Sequence, residues 1–445
     1  MYTEKFVHQI VSFSYDDCRP EELHEAKRSF LNWLGCAVGS HRHPAIDTML
    51  QTMDLFEGSG QATFLGTDKK VDMACACMLN GMSSSMYDYD DTYLDTIIHP
   101  SCGVFPALVA WYERFDLPCD SLLKHFLVGA EVQERIGRYF TRAGHYEIGW
   151  HITGTTSVFG AAAAMGRVLE LSEEQMINAI GIVATRVNGL RSMFGTQCKP
   201  THAGFAAASG ILAASLAKNG MTANSSVFDG PKSIGALVSR KPDPKHLEEE
   251  WTHPCLLMQN AYKPFACGIV AHPATDGACR LYREGVRARD VESVRIRVHP
   301  LAIELTGRQH PRTQLEAIFS VQHGVAVGLL YGKGGQWEFS DETVNRPEVV
   351  ELRSRVSYEI DPALLEDQAA LSLTMKDGSK REIFVETTIG SIKKPLADED
   401  IEAKFRDLVD PFLSRKRQDA ILDFCWTLDR QEHMSRLAEL CAADK

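Results

Sequence analysis

The chain has 445 residues, of which 44% are hydrophobic and 24% charged, so it can bury a globular core and does not have the composition of a disordered or collagen-like chain. Its formal net charge of −12 would repel phosphate backbones and anionic headgroups, which argues against nucleic acid and membranes as partners. We find no signal-peptide pattern and no run of the roughly 20 apolar residues that a membrane helix needs. The 12 cysteines form no CxxC pair, so we expect free thiols and a cytoplasmic location.

Residues up to about 240 show the spacing of one amphipathic helix after another. Leu23, Ala26, Phe30, Leu34 and Ala37 lie three or four residues apart, so one face of their segment is apolar. The small residues in AAAAMG and AGFAAASG would let helix backbones pack closely. Patterns of this kind predict helices over 21–38, 73–87, 104–115, 121–137, 155–169, 172–187 and 202–217.

From about residue 260 the pattern changes to strands mixed with helices. Val294, Ile296 and Val298 alternate with polar residues, as in a half-buried strand. Asp377-Gly378 indicates a hairpin turn between two further strands, because this pair tolerates positive φ. We predict these strands over 371–375 and 382–387, another over 358–361, and helices over 266–282, 313–330, 398–408 and 414–428.

The order of these elements predicts a mainly α fold with two domains. A large helical domain would comprise residues 1–259 and, after the chain returns to it, residues 396–445. Residues 260–395 would form a smaller, inserted α+β domain with an antiparallel sheet, positioned as a lid.

Three segments of the helical part carry polar side chains that a plain bundle does not need. DYDDT, which contains Asp88, is followed by His99 at the start of an apolar helix. GWHITGT places His151 beside the backbone N–H groups of a helix start, where anions bind, with Tyr146 five residues earlier. GTQCKPTHAG carries Lys199, and burial would lower the pKa of this lysine toward that of a usable acid or base. Capping, packing or a solvated surface would explain any one of these segments alone.

Two further polar segments belong to the predicted lid. KPF contains Lys263 and HPATD contains His272, while His323 in FSVQH lies in an apolar helix and, taken alone, is better explained as a core histidine. The sequence has no GxGxxG, GxxxxGK[ST] or HExxH motif. Lysine and histidine neutralise carboxylates, and a well-placed base removes the proton next to one of them. These residues therefore predict a small di- or tricarboxylate as the substrate.

Together, the five segments resemble the MmgE/PrpD family over about residues 5–430. The most specific motifs are DYDDT…HPS, GWHITGT, GTQCKPTHAG, KPF…HPATD and FSVQH, which occur in this order. The resemblance implies an all-helical domain with an inserted α+β lid, a homodimer, and action on small carboxylic acids without a metal or organic cofactor. The activities of the family include 2-methylcitrate dehydratase, cis-aconitate decarboxylase and iminodisuccinate epimerase.

The matching motifs imply site roles for Asp88, Thr92, His99, His151, Lys199 and His272. The chain departs from the decarboxylases in two places: the interval from Asp88 to His99 is one residue longer, and His323 stands where they have a tyrosine. It is also shorter than the usual dehydratase. These departures favour an epimerase of the iminodisuccinate type, with a lyase of the dehydratase or decarboxylase type as the alternative.

Our mechanistic hypothesis assigns a role to each of these side chains. Lys199 and Tyr146 would face each other across the substrate as the acid/base pair, and His99 and His151 would bind or polarise carboxylates. Asp88 would orient a histidine. The predicted substrate-binding set is Thr92, Arg191, Lys263, His272 and His323, of which Lys263 and His272 would close from the lid.

Two interpretations from other classes stay open at this stage. Asp90 to Asp95 forms a DDxxxD string, which is typical of the Mg²⁺-diphosphate site of terpene synthases. That chemistry needs a second metal motif, and the nearest candidate, Asn188…Ser192…Thr196, ends without a carboxylate. A helical protein that binds polycarboxylates without turnover is the other possibility.

Overall fold

The computed structural model describes residues 1–56, 58–253 and 255–444. The first and larger group of helices precedes residue 260. It comprises α1 (Tyr2–Ser12), α2 (Pro20–Ser40), α3 (Pro44–Met53), α4 (Met73–Ser84), α5 (Phe105–Phe115), α6 (Leu122–Phe140), α7 (Ile152–Val168), α8 (Glu173–Ala184), α9 (Thr201–Lys218), α10 (Ile234–Val238) and α11 (Lys245–Glu248).

Two short antiparallel pairs accompany these helices. Strand β1 (Ala62–Thr63) pairs with β2 (Lys70–Val71), and β3 (Thr92–Tyr93) pairs with β4 (Asn260–Ala261). The second pair ties the loop after α4 to the point where the chain leaves the helical part. It therefore fixes two site-bearing segments, 85–92 and 260–268, beside each other.

Small residues bring the central helices into backbone contact. A Cβ added to Gly81 of α4 would lie 2.6 Å from the Cα of Gly204 in α9, and one added to Gly210 would lie 2.3 Å from the Cβ of Ala161 in α7. Distances this short leave no room for a side chain. The small-residue runs thus serve the close packing that the sequence predicts.

The second group of elements forms a sheet with helices on one face. It comprises α12 (His272–Arg283), β5 (Val291–Val298), α13 (Pro300–Thr306), α14 (Gln314–Ala317), α15 (Val321–Tyr331), α16 (Asp341–Val344), α17 (Pro347–Ser354), β6 (Val356–Ile360), β7 (Ala369–Met375) and β8 (Lys380–Val385). Helix α12 packs on the sheet where Gly277 meets Leu371 of β7, and α15 packs on α12 where Gly328 meets Ala278.

The sheet is mixed, so the prediction of an antiparallel sheet is only partly right. The strand order is β6-β5-β7-β8, in which β5–β7 and β7–β8 are antiparallel but β5–β6 is parallel. The connection from β5 to β6 contains α13–α17. It forms a helical crossover, after which β6 runs in the same direction as β5. The mainly α class with a small β part is confirmed.

Two predicted helices differ from the structure by more than the few residues at the ends of the others. The one expected over 266–282 begins only at His272, after a 3₁₀ turn at Ile269–Ala271. The one expected over 313–330 is broken into α14 and α15, because the Ser320 hydroxyl accepts a hydrogen bond from the His323 N–H and caps α15 there.

The chain then returns to the first group of helices through α18 (Asp398–Val409), α19 (Arg415–Trp426) and α20 (Ser435–Cys441). Helix α18 lies on α2, where Phe405 and Leu408 contact Gly35 and Gly39. The domain boundaries at 259/260 and 395/396 stay a prediction. Within the described ranges, no helix is both long and apolar enough to cross a bilayer, and the twelve cysteines are free.

Candidate active site

A buried cavity lies where the two groups of helices meet, and we call it the central cavity. Its polar side chains come from four of the five predicted segments, and the rest of its wall is mostly apolar. The polar lining is Asp88, His99, Tyr146, His151, Lys199 and Lys263, and the rest is Ile97, Phe194, Gly268, Ile269, Val270, Leu305, Thr306 and Phe319. The structure thus brings all five predicted catalytic side chains, with Lys263, to one place.

The Asp88 carboxylate lies between two ammonium groups. Lys199 Nζ donates to Asp88 Oδ1 at 2.6 Å, and Lys263 Nζ donates to Oδ2 and to the Asp88 carbonyl, each at 2.7 Å. All three side chains are buried. Burial alone would raise the pKa of Asp88, but the two ammonium groups hold this pKa well below its usual range. Asp88 is therefore an anion that cancels one of two positive charges.

This pairing corrects one sequence expectation, the lowered pKa of Lys199. Burial does act to lower it, but the contact with Asp88 outweighs burial and raises the pKa of Lys199 above its ordinary value. In this arrangement Lys199 is a fixed cation that binds carboxylates, and it is a poor base as long as Asp88 faces it.

His99 is held in one tautomer by its surroundings. Its Nδ1 lies 2.8 Å from the Asp91 carbonyl, which can only accept, so Nδ1 carries the proton. Its Nε2 then has a free lone pair, 3.7 Å from Asp88 Oδ1. Burial lowers the pKa of His99, which Asp90 opposes in part. His99 is thus a neutral imidazole whose basic nitrogen lies beside the Asp88 carboxylate at the cavity.

His151 forms a pair with a histidine that the sequence hypothesis did not include. His151 Nδ1 lies 2.8 Å from His202 Nδ1, so one of the two rings must donate to the other. Burial lowers the pKa of His151 well below its usual range and that of His202 to about 4. Both rings are therefore neutral, and two arrangements are compatible with this contact: if His202 donates, His151 carries its proton on Nε2, and if His151 donates, its Nε2 is an acceptor. His202 follows Lys199 by three residues in the same GTQCKPTHAG motif, which is the signal that could have found it.

Tyr146 and Arg191 are linked at the edge of the cavity. The Arg191 guanidinium lies 4.3 Å from the centre of the Tyr146 ring and donates to the Tyr146 carbonyl at 3.0 Å. It also pairs with Glu304 at 2.8 Å. Burial raises the pKa of Tyr146 to about 12, so its phenol stays protonated. The described lining does not include Arg191, which positions Tyr146 from outside.

Thr92 and His272 also lie outside the described lining. Thr92 Oγ1 lies 3.2 Å from His99 Nδ1 and helps to orient that ring. His272 Nε2 donates to the Cys267 carbonyl at 3.1 Å, and burial lowers its pKa to about 3. His272 lines a neighbouring cavity instead of the central one.

His323 is not brought to the cavity. Its Nε2 donates to the Glu338 carbonyl at 3.0 Å, and its Nδ1 accepts from Arg353 at 3.2 Å. Both ring nitrogens are therefore engaged in the core between α15 and α17, so its predicted place in the substrate-binding set does not fit this structure. The difference from the decarboxylases at this position consequently lies away from the central cavity.

The acidic residues near His99 do not make a convincing cation site. Ligand atoms of Asp88, Asp90 and His99 lie within 4.8 Å of one another, but both carboxylate oxygens of Asp88 already accept from ammonium groups. A divalent cation there would face two positive charges. The acids of the DDxxxD string also diverge, because Asp95 pairs with Arg138 at 3.3 Å while Asp91 is buried against Ser101. The expected absence of a metal stays a prediction.

Two features of the lining were not predicted. Ile97 has a φ of 63°, a left-handed conformation that is costly for a β-branched residue and that concentrates at functional sites. Phe194 stacks on Phe319 with ring centres 5.4 Å apart and meets the His151 ring edge to face. These apolar residues exclude water from the polar groups, which strengthens electrostatic interactions in the cavity.

Comparison with known proteins gives the same family over both parts of the chain. A family model described as the MmgE/PrpD N-terminal domain matches residues 4–247, and one described as the MmgE/PrpD C-terminal domain matches residues 265–429. The chain is 29% identical to human cis-aconitate decarboxylase over 98% of this chain and 94% of that protein. It is 26% identical to cis-aconitate decarboxylase of Aspergillus terreus over 98% and 95%. It is 24% identical to 2-methylcitrate dehydratase of Escherichia coli K12 over 82% and 81%.

Proposed function

The chain belongs to the MmgE/PrpD family, and from that premise we propose that it is a lyase for a small tricarboxylate, of the cis-aconitate decarboxylase type. One observation carries the proposal: two buried ammonium groups and two neutral imidazoles line a cavity whose lining includes a single carboxylate of the protein. Dehydration of a 2-alkylcitrate is the second candidate, because the same comparison includes a 2-methylcitrate dehydratase.

The charges of the cavity suit loss of CO₂ from a polycarboxylate. Lys199 and Lys263 would hold the retained carboxylates, and their fixed charge would stabilise the negative charge that develops on the adjacent carbon as the C–C bond breaks. The apolar wall, including Phe194 and Phe319, would keep water from the leaving carboxylate.

A proton must then reach that carbon, and the structure offers donors for it. His151 can present an N–H at its cavity-facing nitrogen when His202 donates to its Nδ1. Tyr146 keeps its phenolic proton. We therefore assign His151 or Tyr146 as the acid. Loss of CO₂ removes no proton from the substrate, so His99, whose free Nε2 can accept one, would act as a base only in the dehydration of the second candidate. This replaces our initial pairing of Lys199 with Tyr146.

The epimerase interpretation has less support than its lyase alternative. The relatives named above are decarboxylases and a dehydratase. The argument from chain length weakens, since the match covers 94% of the human decarboxylase. The argument from His323 weakens as well, because this residue lies in the core.

Product analysis in deuterated water tests the reaction. We would incubate the purified protein separately with cis-aconitate, 2-methylcitrate and iminodisuccinate. Release of CO₂ from cis-aconitate is the expected result. A new alkene from 2-methylcitrate without CO₂ would identify the second candidate, and solvent deuterium in iminodisuccinate without either product would restore the epimerase. No turnover of any of the three, with tight binding of tricarboxylates, would indicate the non-catalytic binding protein.

Replacement of Lys199 tests the cationic cavity. In Lys199→Met the side chain keeps its length and loses its charge, so we expect turnover to fall by at least about a hundredfold, as for other losses of transition-state charge stabilisation. The matched control is Lys5→Met, which removes an exposed ion pair with Glu248. Near-normal activity of Lys199→Met with a folded protein would remove Lys199 from the reaction.

We also propose that the chain forms a homodimer. On α9, Phe205 and Leu212 lie seven residues apart on one face and are exposed by 41% and 43%, and Leu190 beside this helix start is exposed by 46%. Large apolar side chains grouped in this way commonly mark a protein interface. Light scattering of the unchanged protein should give twice the mass of one chain. The double variant Phe205→Glu/Leu212→Glu should give the mass of a single chain.

A further inference from the structure

The free lone pair of His99 has no use in the proposed decarboxylation. Loss of CO₂ takes no proton from the substrate, yet Nε2 lies with its lone pair 3.7 Å from the Asp88 carboxylate, at a cavity that also contains two ammonium groups. A lone pair repels the oxygens of a bound carboxylate, whereas an N–H donates to them. His99 would therefore help to bind the substrate only with a second proton on its ring.

Asp90 faces the other nitrogen of the same ring. Its Oδ1 lies 3.6 Å from His99 Nδ1, and its Oδ2 accepts from the Ser85 hydroxyl at 2.8 Å. Asp90 is completely buried, and among the described residues its Oδ1 has no hydrogen-bond partner. Leaving such an atom unpaired is costly. Asp90 is thus placed as the counter-charge of an imidazolium that the ligand-free site does not contain.

Asp90 carries the negative charge that this role requires. Burial acts to raise its pKa, but His99, Lys199 and Lys263 outweigh burial and hold this pKa below its usual value. The other titratable groups that face Asp90 are Cys36, Asp88, Asp91, Cys102 and Lys404. Burial raises the pKa of both thiols, so they stay neutral.

The charges around His99 leave room for one more proton once an anion binds. The groups that face the ring are Asp88, Asp90, Asp91, His151, Lys199 and Lys263. The two ammonium groups oppose protonation of His99, whereas Asp88 and Asp90 favour it. These two pairs of charges sum to zero, so a tricarboxylate would add three negative charges to a buried site, where uncompensated charge is expensive.

We propose that His99 takes up a proton from solvent when a polycarboxylate binds, and that Asp90 is the positioning residue that makes this uptake possible. The proton goes to Nε2, which then donates to a carboxylate of the ligand, while Nδ1 keeps its proton between the Asp91 carbonyl and Asp90 Oδ1. No bond of the ligand changes. The inference rests on the proposed function, because the ligand must be an anion bound in the central cavity.

Titration calorimetry with propane-1,2,3-tricarboxylate tests the uptake on the unchanged protein. This ligand has neither a double bond nor a hydroxyl group, so it undergoes neither proposed reaction, and at pH 7.5 it is fully ionised in solution. The measured enthalpy depends on the ionisation enthalpy of the buffer in proportion to the protons taken up, so the titration is run in HEPES and in Tris. We expect uptake of about one proton per bound ligand. Binding without uptake overturns this inference and leaves the proposed function standing, whereas no binding contradicts both.

Two variants assign the proton and its counter-charge. His99→Gln should bind without proton uptake, and uptake that persists in this variant would place the proton elsewhere and overturn the proposal. Asp90→Asn keeps the shape of the side chain and removes its charge. We expect its proton uptake to fall close to zero and its Kd to rise about tenfold or more, since one pKa unit corresponds to a factor of ten.

The matched control is Asp95→Asn in the same DDxxxD string. The Asp95 side chain is 54% exposed and pairs with Arg138 at 3.3 Å, so this variant should keep the uptake and the Kd of the unchanged protein. A weaker Kd of Asp90→Asn with undiminished proton uptake would make Asp90 a structural residue only and refute its assigned role. If Asp90→Asn does not fold, the buffer comparison on the unchanged protein and on His99→Gln still decides the proposal.

Discussion

The charge of the central cavity depends on a single residue, Asp88. Its carboxylate accepts from Lys199 and Lys263, and its backbone has a φ of 50°, which aspartate tolerates better than most residues. A substrate carboxylate would compete with Asp88 for the same two ammonium groups. Asp88 therefore leaves these three groups with a single net positive charge, and substrate binding can rearrange their contacts.

We expect Asp88→Asn to lower both stability and activity. The asparagine has nearly the same shape but removes the carboxylate that both buried ammonium groups contact directly, at a cost on the order of 3–5 kcal/mol for a broken buried pair. Urea unfolding at pH 7 measures the loss. The double variant Asp88→Asn/Lys263→Met should recover part of the lost stability, because it also removes one of the two ammonium groups that lost their partner. An unchanged unfolding midpoint in the single variant would show that the pair is not buried in solution.

The polar members of the site could be predicted from sequence and the apolar members could not. The predicted polar residues stand in motifs at loops and helix starts, where a buried polar group indicates a specific role. They are Asp88, His99, His151, Lys199 and Lys263. Ile97, Phe194 and Phe319 have the same residue types as the core. Only their positions in space, and the φ of Ile97, distinguish them.

At the scale of elements, local sequence patterns predicted where a helix or strand lies better than they predicted which elements pair with each other. Helices α2 and α18 begin and end within two residues of prediction, because periodic apolar positions and first-turn acids are local signals. The parallel pairing of β6 with β5 depends on a crossover of five helices, which no local pattern shows. The break before α15 likewise coincides with a bridge between Ser320 and Gly307, a contact between separate segments.

Helix α18 supports the site through one buried lysine. Lys404 Nζ donates to the carbonyls of Tyr89 and Lys263 at 2.7 and 2.9 Å, and to Asn32 Oδ1 of α2 at 2.8 Å. Tyr89 directly follows Asp88 in the chain. Two of the three N–H bonds of the ammonium group thus hold the backbone segments that carry Asp88 and Lys263, and the third ties them to α2.

We therefore expect Lys404→Met to lower kcat about tenfold or more while the protein remains folded at 25 °C, because small displacements of charged groups at a reacting centre are costly. The matched control is Arg406→Met on the same helix, whose ion pair with Asp419 lies toward the surface. Steady-state kinetics and thermal unfolding of both variants provide the comparison. Equal kcat values in the two variants would assign Lys404 to stability alone.

At the scale of the whole molecule, buried neutral histidines couple folding to pH. Burial lowers the pKa of His125, His272 and His323 to about 3 and that of His145 and His202 to about 4, from an ordinary value of 6.5. Asp91 acts in the opposite direction, because burial raises its pKa to about 7. Burial also raises the pKa of Glu25, Glu131 and Glu134, which act in the same direction as Asp91. The five histidines outnumber these four carboxyl groups, so they set the sign.

Stability should consequently fall as pH decreases from 6.5 toward 4. Over this range the unfolded chain binds protons that the folded chain excludes, and each uncompensated histidine changes the free energy of unfolding by about 1.4 kcal/mol per pH unit. Urea midpoints at pH 7.0, 6.0 and 5.0 measure the slope. His125→Asn should reduce it, whereas His433→Asn should not, since the His433 side chain is 58% exposed. A midpoint that rises as the pH is lowered would mean that the buried carboxyl groups dominate, because their protonated forms would then stabilise the folded chain.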